Sequence, residues 1–184
     1  GELVLAGAND HGVAGNNGTR VDLGTLTLGN AAAVGIATTR LQMNNAAAIL
    51  KTTAPFNLAH TIQTNANFTY VGSNALTIAG NINLGAATVI TIQDPSAIVT
   101  VDGVINGAQN FGVTGPGTVV LTNNNTYSLA TTITDGTLKL KGDTGRIAAS
   151  TGITLTRATL EITNAGTANV DRIGIIGPGV IEGN

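Results

Sequence analysis

Apolar residues recur along this chain in pairs spaced two positions apart, with one residue between the members. The series runs Leu3/Leu5, Val21/Leu23, Leu26/Leu28, Val34/Ile36, Leu41/Met43, Phe56/Leu58, Phe68/Tyr70, Leu76/Ile78, Ile82/Leu84 and Ile90/Ile92. It continues through Val99/Val101, Phe111/Val113, Val119/Leu121, Leu138/Leu140, Ile153/Leu155, Leu160/Ile162 and Ile173/Ile175. Spacing of two puts both members on one face of a strand. Between pairs lie Gly29-Asn30, Asn44-Asn45, Gly80-Asn81, Asp102-Gly103 and Asn106-Gly107. Gly, Asn and Asp enter turn conformations at low cost. Short strands bounded by turn residues at this density predict an all-β chain. Thr, Val, Ile, Asn and Gly dominate, and these are weak helix formers. The clusters Ala31–Ala33 and Ala46–Ala48 are too short for a helix and are expected to fill tight inner corners.

Strand length and spacing select among the all-β architectures. A sandwich needs strands of about 5–6 residues with a strong turn every 8–12. A closed barrel needs a regular hairpin rhythm. Here the strands are roughly three residues long and recur every six to ten or so, short for hairpins. Two or three such strands per winding give coils of about 18–25 residues, the range of solenoid repeats. The expectation is a parallel β-helix (β-solenoid) of roughly eight or nine coils, a rod about 40 Å long. Asn16-Asn17, Asn44-Asn45 and Asn123–Asn125 could stack into side-chain ladders, or simply permit turns.

Composition narrows the chemistry. Hydrophobic residues make up 42% of the 184, mean hydropathy is +0.27, and charged residues are only 10%. A net charge of −2 argues against a nucleic-acid partner, which wants a basic patch. Phe56, Phe68, Tyr70, Phe111 and Tyr127 are all the aromatics, too few for a base-stacking platform or a rich sugar-binding strip. The core must therefore be filled by small aliphatics. Cysteine is absent, which excludes a disulfide scaffold and thiolate metal sites. Two readings fit this absence: a small-residue β protein needs none, and a chain exported unfolded avoids them. No apolar run approaches the roughly 20 residues of a membrane-spanning helix, so no membrane insertion is expected of this segment. The sequence opens at Gly1 and stops at Asn184 in mid-pattern, with Gly177-Pro178-Gly179-Val180-Ile181 echoing Gly115–Val119. The expectation is a single β-helical segment, 1–184, cut from a longer chain.

Candidate chemistry is sparse. His11 and His60 are far apart, and only Asp10 stands beside His11. Nothing supplies a base with an orienting partner. Ser73, Ser96, Ser128 and Ser150 lie in no GxSxG context. The carboxylates Glu2, Asp10, Asp22, Asp94, Asp102, Asp135, Asp143, Glu161, Asp171 and Glu182 are scattered, and Asp102, Asp135 and Asp143 read as turn residues. Stacking could still gather two of them. Calcium nonapeptides and DxDxDG loops are missing. No residue is put forward as catalytic, cofactor-binding or metal-ligating, and no cofactor is expected. Lys139 and Lys141 alternate with Leu138 and Leu140 and should face outward near Arg146, as a solvated face or a weak anion site. Phe68 and Tyr70 are expected in the core rather than at a ligand.

One stretch carries a resemblance. Gly115–Leu140 resembles the passenger-associated transport repeat of bacterial autotransporters, whose pattern is approximately GxGTLxLTGxNTYxGxTxIxxGTLxL. The matching residues are Gly115, Gly117, Thr118, Leu121, Thr122, Asn125, Thr126, Tyr127, Thr131, Ile133, Gly136, Thr137, Leu138 and Leu140. Asn123 and Leu129-Ala130 depart from it where the pattern prefers Gly, which touches turn shape and not the strand frame. Ile98–Ile105 resembles the strand that leads into this repeat, and the Ala/Thr/Asn-rich texture resembles large rickettsial surface antigens. The resemblance implies a right-handed β-helical passenger, exported through its own outer-membrane barrel and displayed on the surface of a Gram-negative bacterium. It implies adhesion to a host-cell or neighbouring-cell surface molecule, or self-association, without catalysis. The alternatives are a β-helical polysaccharide lyase or hydrolase, and a self-assembling structural surface protein.

Overall fold

The computed structural model describes residues 1–7, 18–30, 33–35, 39–164, 171–173 and 181–183. Every strand pairing in it is parallel, and the strands fall into three sheets that the chain visits in rotation. The first wall stacks β1 (Glu2–Leu5), β3 (Gly24–Leu28), β5 (Ala48–Thr52), β8 (Phe68–Val71), β11 (Thr88–Ile92), β14 (Phe111–Thr114), β16 (Thr131–Thr134), β18 (Ile153–Thr156) and β20 (Ile181–Gly183). The second holds β2 (Arg20–Val21), β4 (Arg40–Met43), β7 (Thr61–Thr64), β10 (Ile82–Leu84) and β13 (Ile105–Asn106). The third holds β6 (Phe56–Leu58), β9 (Leu76–Ile78), β12 (Ile98–Val101), β15 (Thr118–Leu121), β17 (Thr137–Lys141) and β19 (Thr159–Thr163). This is the expected β-solenoid, but with about seven turns where eight or nine were expected, and nine strands in its longest wall.

Register explains why the pairs were spaced as they were. On the third wall Leu58, Ile78, Val101, Leu121 and Leu140 lie over one another, each on the next strand. On the second wall Leu41, Ile62, Ile82 and Ile105 do the same. On the first, Ile90, Val113 and Ile133 stack. All of these side chains are buried, so the three walls enclose one continuous apolar column. A single coil buries only a few aliphatics, worth about 1.5–3 kcal/mol each. That cannot offset the ordering of some 20 residues at roughly 1–2 kcal/mol apiece, so coils are stable only as a stack.

The pair pattern missed several strands because Thr takes inward positions. Thr52, Thr64, Thr88 and Thr131 are buried. Their hydroxyls are satisfied inside: Thr52 shares a hydrogen bond with the Tyr70 hydroxyl at 2.8 Å, and Thr88 donates to Thr64 at 2.8 Å. Thr131 bridges the Tyr127 hydroxyl (2.7 Å) and the Ser150 hydroxyl (2.8 Å). Tyr127 is fully buried against Phe111, with ring centroids 5.3 Å apart. Burial drives its phenol well above the ordinary tyrosine range, although the Thr131 hydrogen bond opposes this. Only the neutral phenol is tolerated inside, whereas an unfolded chain would ionise near pH 10. The folded pKa is the higher one, so stability is full below about pH 10 and falls as pH rises beyond it. In urea titrations across pH 8–11, Tyr127→Phe should cost about 1 kcal/mol at pH 8 and make the alkaline fall shallower. An unchanged slope would show that Tyr127 titrates alike in both states.

Asn residues join successive coils at the corners. Asn67 Oδ1 accepts from Val89 N, Asn81 Oδ1 from Val104 N and Asn110 Oδ1 from Ala130 N, at 2.8–3.0 Å. Asn125 does most: its Oδ1 accepts from Ile105 N at 2.8 Å, and its Nδ2 donates to Asn123 O and Arg146 O. It is buried, so Asn125→Ala strands a buried amide and should cost about 2–3 kcal/mol by chemical denaturation. Asn67→Ala, with an exposed side chain, serves as the smaller comparison.

The Asn runs that could ladder or turn divide between the two, and the expectation for the alanine clusters needs correction. Asn44 does join a ladder, accepting from Asn65 Nδ2 at 2.7 Å and donating to Asp22 at 3.2 Å. Asn123–Asn125 do not; they bond backbone across coils or next along the chain. Asn16-Asn17 lie outside the described residues. Of the alanines, Ala33 and Ala48 are buried as expected, but Ala46 and Ala47 are exposed on the turn closed by Asn45 Oδ1 and Ala47 N. Leu23, expected inside, is 72% exposed, and Leu3 is 55% exposed at the first strand of the stack. Ile36, Ile175 and Gly177–Val180 fall outside the described residues.

Candidate functional site

Alternation fixes what each wall presents outward. On the first wall Thr69, Thr91, Thr114, Thr134 and Thr156 form one row in register. Beside it run Val89, Gly112, Thr132 and Thr154. Thr–Thr neighbours suit adjacent strands because β-branched side chains pack on the pleated surface. On the second wall the outward row is amide-rich: Gln42, Gln63, Asn83 and Asn106, with Asn106 Nδ2 donating to Asn83 Oδ1 at 2.8 Å.

The third wall is more mixed. Its outward row reads Asn57, Thr77, Thr100, Val120, Lys139 and Glu161, beside Ile98, Thr118, Thr137 and Thr159. Lys139 and Lys141 face outward as expected. Lys139 Nζ reaches Glu161 Oε1 at 2.7 Å, half-buried, a pairing that sequence spacing could not reveal because it crosses coils. Ile98 and Val120 are the apolar members. The signal for them lay in Ile98-Val99-Thr100-Val101 and Thr118-Val119-Val120-Leu121, where an extra apolar residue stands out of phase with the inward pair. The part of this wall from Ile98 and Thr100 to Lys141 and Glu161 lines a shallow groove of about 430 Å³. Thr hydroxyls, two ammonium groups, the Glu161 carboxylate, the exposed Ile98 and the largely buried Val120 give it a mixed polar and apolar surface.

The scattered polar residues stay scattered. Asp22 is paired with Arg20 at 2.7 Å and held below the usual carboxylate range first by that hydrogen bond and then by Asn44. Asp94 closes a turn on Ser96, whose hydroxyl and amide lower its pKa. Asp102 accepts from Thr122 at 2.7 Å, and Glu2 accepts from Thr27 at 2.6 Å. Asp135 pairs with Arg157 across a corner where both residues have left-handed backbones, φ +57° and +50°. His60 is buried, with Nε2 3.0 Å from Gly35 O and no carboxylate bonded to it. Ser150 is buried and bonded to Thr131 and to Leu129 O. His11 and Asp10 lie outside the described residues. Among the described residues there is no group of three or more His, Cys, Asp or Glu that could hold a metal ion. No helix among them is long and apolar enough to cross a membrane.

The geometry defines a parallel β-solenoid with unbranched, mostly hydroxyl- and amide-covered walls. Over 140 residues, 76% of its length, the chain is 34% identical to the adhesin BmaC autotransporter of Brucella suis biovar 1 (strain 1330). It spans 4% of the length of that protein. The similarity and the solenoid together bear out the resemblance to an autotransporter passenger domain. No family model matches the chain, and no solved structure matches it.

Proposed function

We propose that residues 1–184 form one segment of a longer autotransporter passenger, a non-catalytic solenoid displayed on the surface of a Gram-negative bacterium. Its walls, and the third wall first among them, meet a host-cell or neighbouring-cell surface molecule or another copy of the passenger. The observation that carries this reading is the similarity to an autotransporter named as an adhesin, over three quarters of this chain. The wall chemistry supports it. Asp102, Asp135 and Glu161 are tied to separate partners, Thr122, Arg157 and Lys139, which favours the non-catalytic reading over a lyase or hydrolase.

The test uses the whole parent protein displayed on bacteria, compared with an in-frame deletion of these 184 residues at matched surface levels. Adherence to host cells, or clumping of the bacteria, should fall at least severalfold. Unchanged adherence and clumping would overturn the reading.

A further inference from the structure

The corner after β17 carries two cations whose donors are not used up. Arg172 is only 7% exposed. Its Nε donates to Gly145 O at 2.5 Å and its Nη1 to Asn164 Oδ1 at 2.7 Å, while its backbone carbonyl accepts from Ile147 N at 2.8 Å. Its Nη2 is buried with no partner. One coil below, Arg146 is fixed by its backbone, donating to Asn123 O and accepting from Asn125 N. The Arg146 Nε is likewise buried and unpartnered. Gly145 leads directly into this pair, and a Cβ there would overlap Leu121 O and Lys141 O, so the chain is drawn tight against the stack at this point.

Guanidinium groups stay charged and can only donate, so a buried free N–H on each of two neighbouring arginines calls for an acceptor. Asp143 and Arg146 both lie close enough to act on Arg172, and Asp171 precedes it in the chain. Burial lowers the pKa of Arg172, Asp143 opposes that, and Arg146 adds to it to a smaller extent.

We propose that the corner formed by Arg146 and Arg172 is an oxyanion site, built to receive one sulfate or carboxylate group of the kind borne by acidic glycans. Oxyanions accept from several donors at once, and charge-assisted bonds to arginine are the strong ones. The site stands on a corner of the rod, beside the end of the third wall. It rests on the two buried, unpartnered guanidinium donors and would stand if the segment were not adhesive.

The experiment is an NMR titration of the intact 184-residue chain with sodium sulfate at constant ionic strength, chloride being the replaced ion. Saturable shifts are expected at the Arg146 and Arg172 Nε–H signals and at the amides of Gly145–Ile147. Arg146→Gln should weaken the apparent affinity about tenfold or more while leaving Tm unchanged. If that variant lowers Tm, Arg146→Lys keeps the charge, loses the Nε donor and should show the same weakening. A sulfated disaccharide binding more tightly than sulfate, with its desulfated form silent, identifies a glycan-borne group as the ligand. Equal binding of sulfate and sulfated disaccharide identifies the free anion. Unsaturable shifts with both sulfate and acetate, or saturable shifts that neither Arg146 variant alters, would overturn the proposal.

Discussion

Leu121→Asp should unfold most of this rod. Leu121 is fully buried between Val101 and Leu140 on the third wall, in the middle of the apolar column. A carboxylate there meets aliphatic neighbours above and below, so it must lose its hydration or force the coils apart. The expected cost is on the order of 5 kcal/mol, at the exceptional end for one substitution and comparable to the whole stability of many domains. Leu121→Ala removes the same contacts without burying a charge and should cost about 2–5 kcal/mol. Guanidinium unfolding followed by far-UV circular dichroism separates them. A shift under about 1 kcal/mol for Leu121→Asp would mean that this position is not in a dry core.

Gly115→Val is the second large effect, and its cause is backbone geometry. Gly115 has φ +88°, in the left-handed region, at the corner where the first wall turns toward the third. A Cβ there would also press into Ile92 O of the coil below. Strain and overlap add, giving an expected loss of about 3 kcal/mol or more. Gly72→Ala separates the two terms: its φ is +109°, but nothing lies within 4 Å of an added Cβ. That variant should cost about 1–2 kcal/mol from strain alone. Equal losses at both glycines would show that the coils are not in close contact at Gly115.

The same corner shows how far the residues themselves could be read. Thr114, Thr134 and Thr156 are in register, so Gly115, Asp135 and Arg157 follow them at equivalent points. All three have left-handed backbones, yet only glycine and, more weakly, aspartate advertise this in sequence. Arg157 gives no such signal. It is placed by stacking and by its pair with Asp135, a contact between residues 22 apart. Period-two pairs located most strands because an aliphatic facing inward is the cheapest way to fill the column. They failed at β7 and β16, where Thr64 and Thr131 turn inward and are satisfied by other hydroxyls. They also failed at Leu23, which has the right spacing but sits in the bend between β2 and β3, where its side chain is exposed.

The outward surface was harder to read than the core. Which residues share a wall depends on coil length, and that varies, with register partners 24 apart for Leu26 and Leu50 but 20 apart for Leu50 and Tyr70. A change of two or three residues in a turn re-aligns every side chain beyond it. Lys139 and Lys141 could be placed outward by alternation, but their neighbours Val120 and Glu161 could not. Arg146 was visible as part of a basic cluster. Arg172 was not, because its role depends on a contact with Gly145 across a coil.

The absence of cysteine makes the central claim directly testable. In parallel register Thr114 and Thr134 are neighbours on adjacent strands, with Cα atoms about 4.8 Å apart, inside disulfide range. Thr114 and Thr156 are two strands apart, about 9.6 Å, outside it. The double variant Thr114→Cys/Thr134→Cys should oxidise to an intramolecular disulfide in the folded chain, and Thr114→Cys/Thr156→Cys should not. Failure of the first pair, or efficient closure of the second, would contradict the stacking of successive windings on which the fold, the dry column and the outward walls all depend.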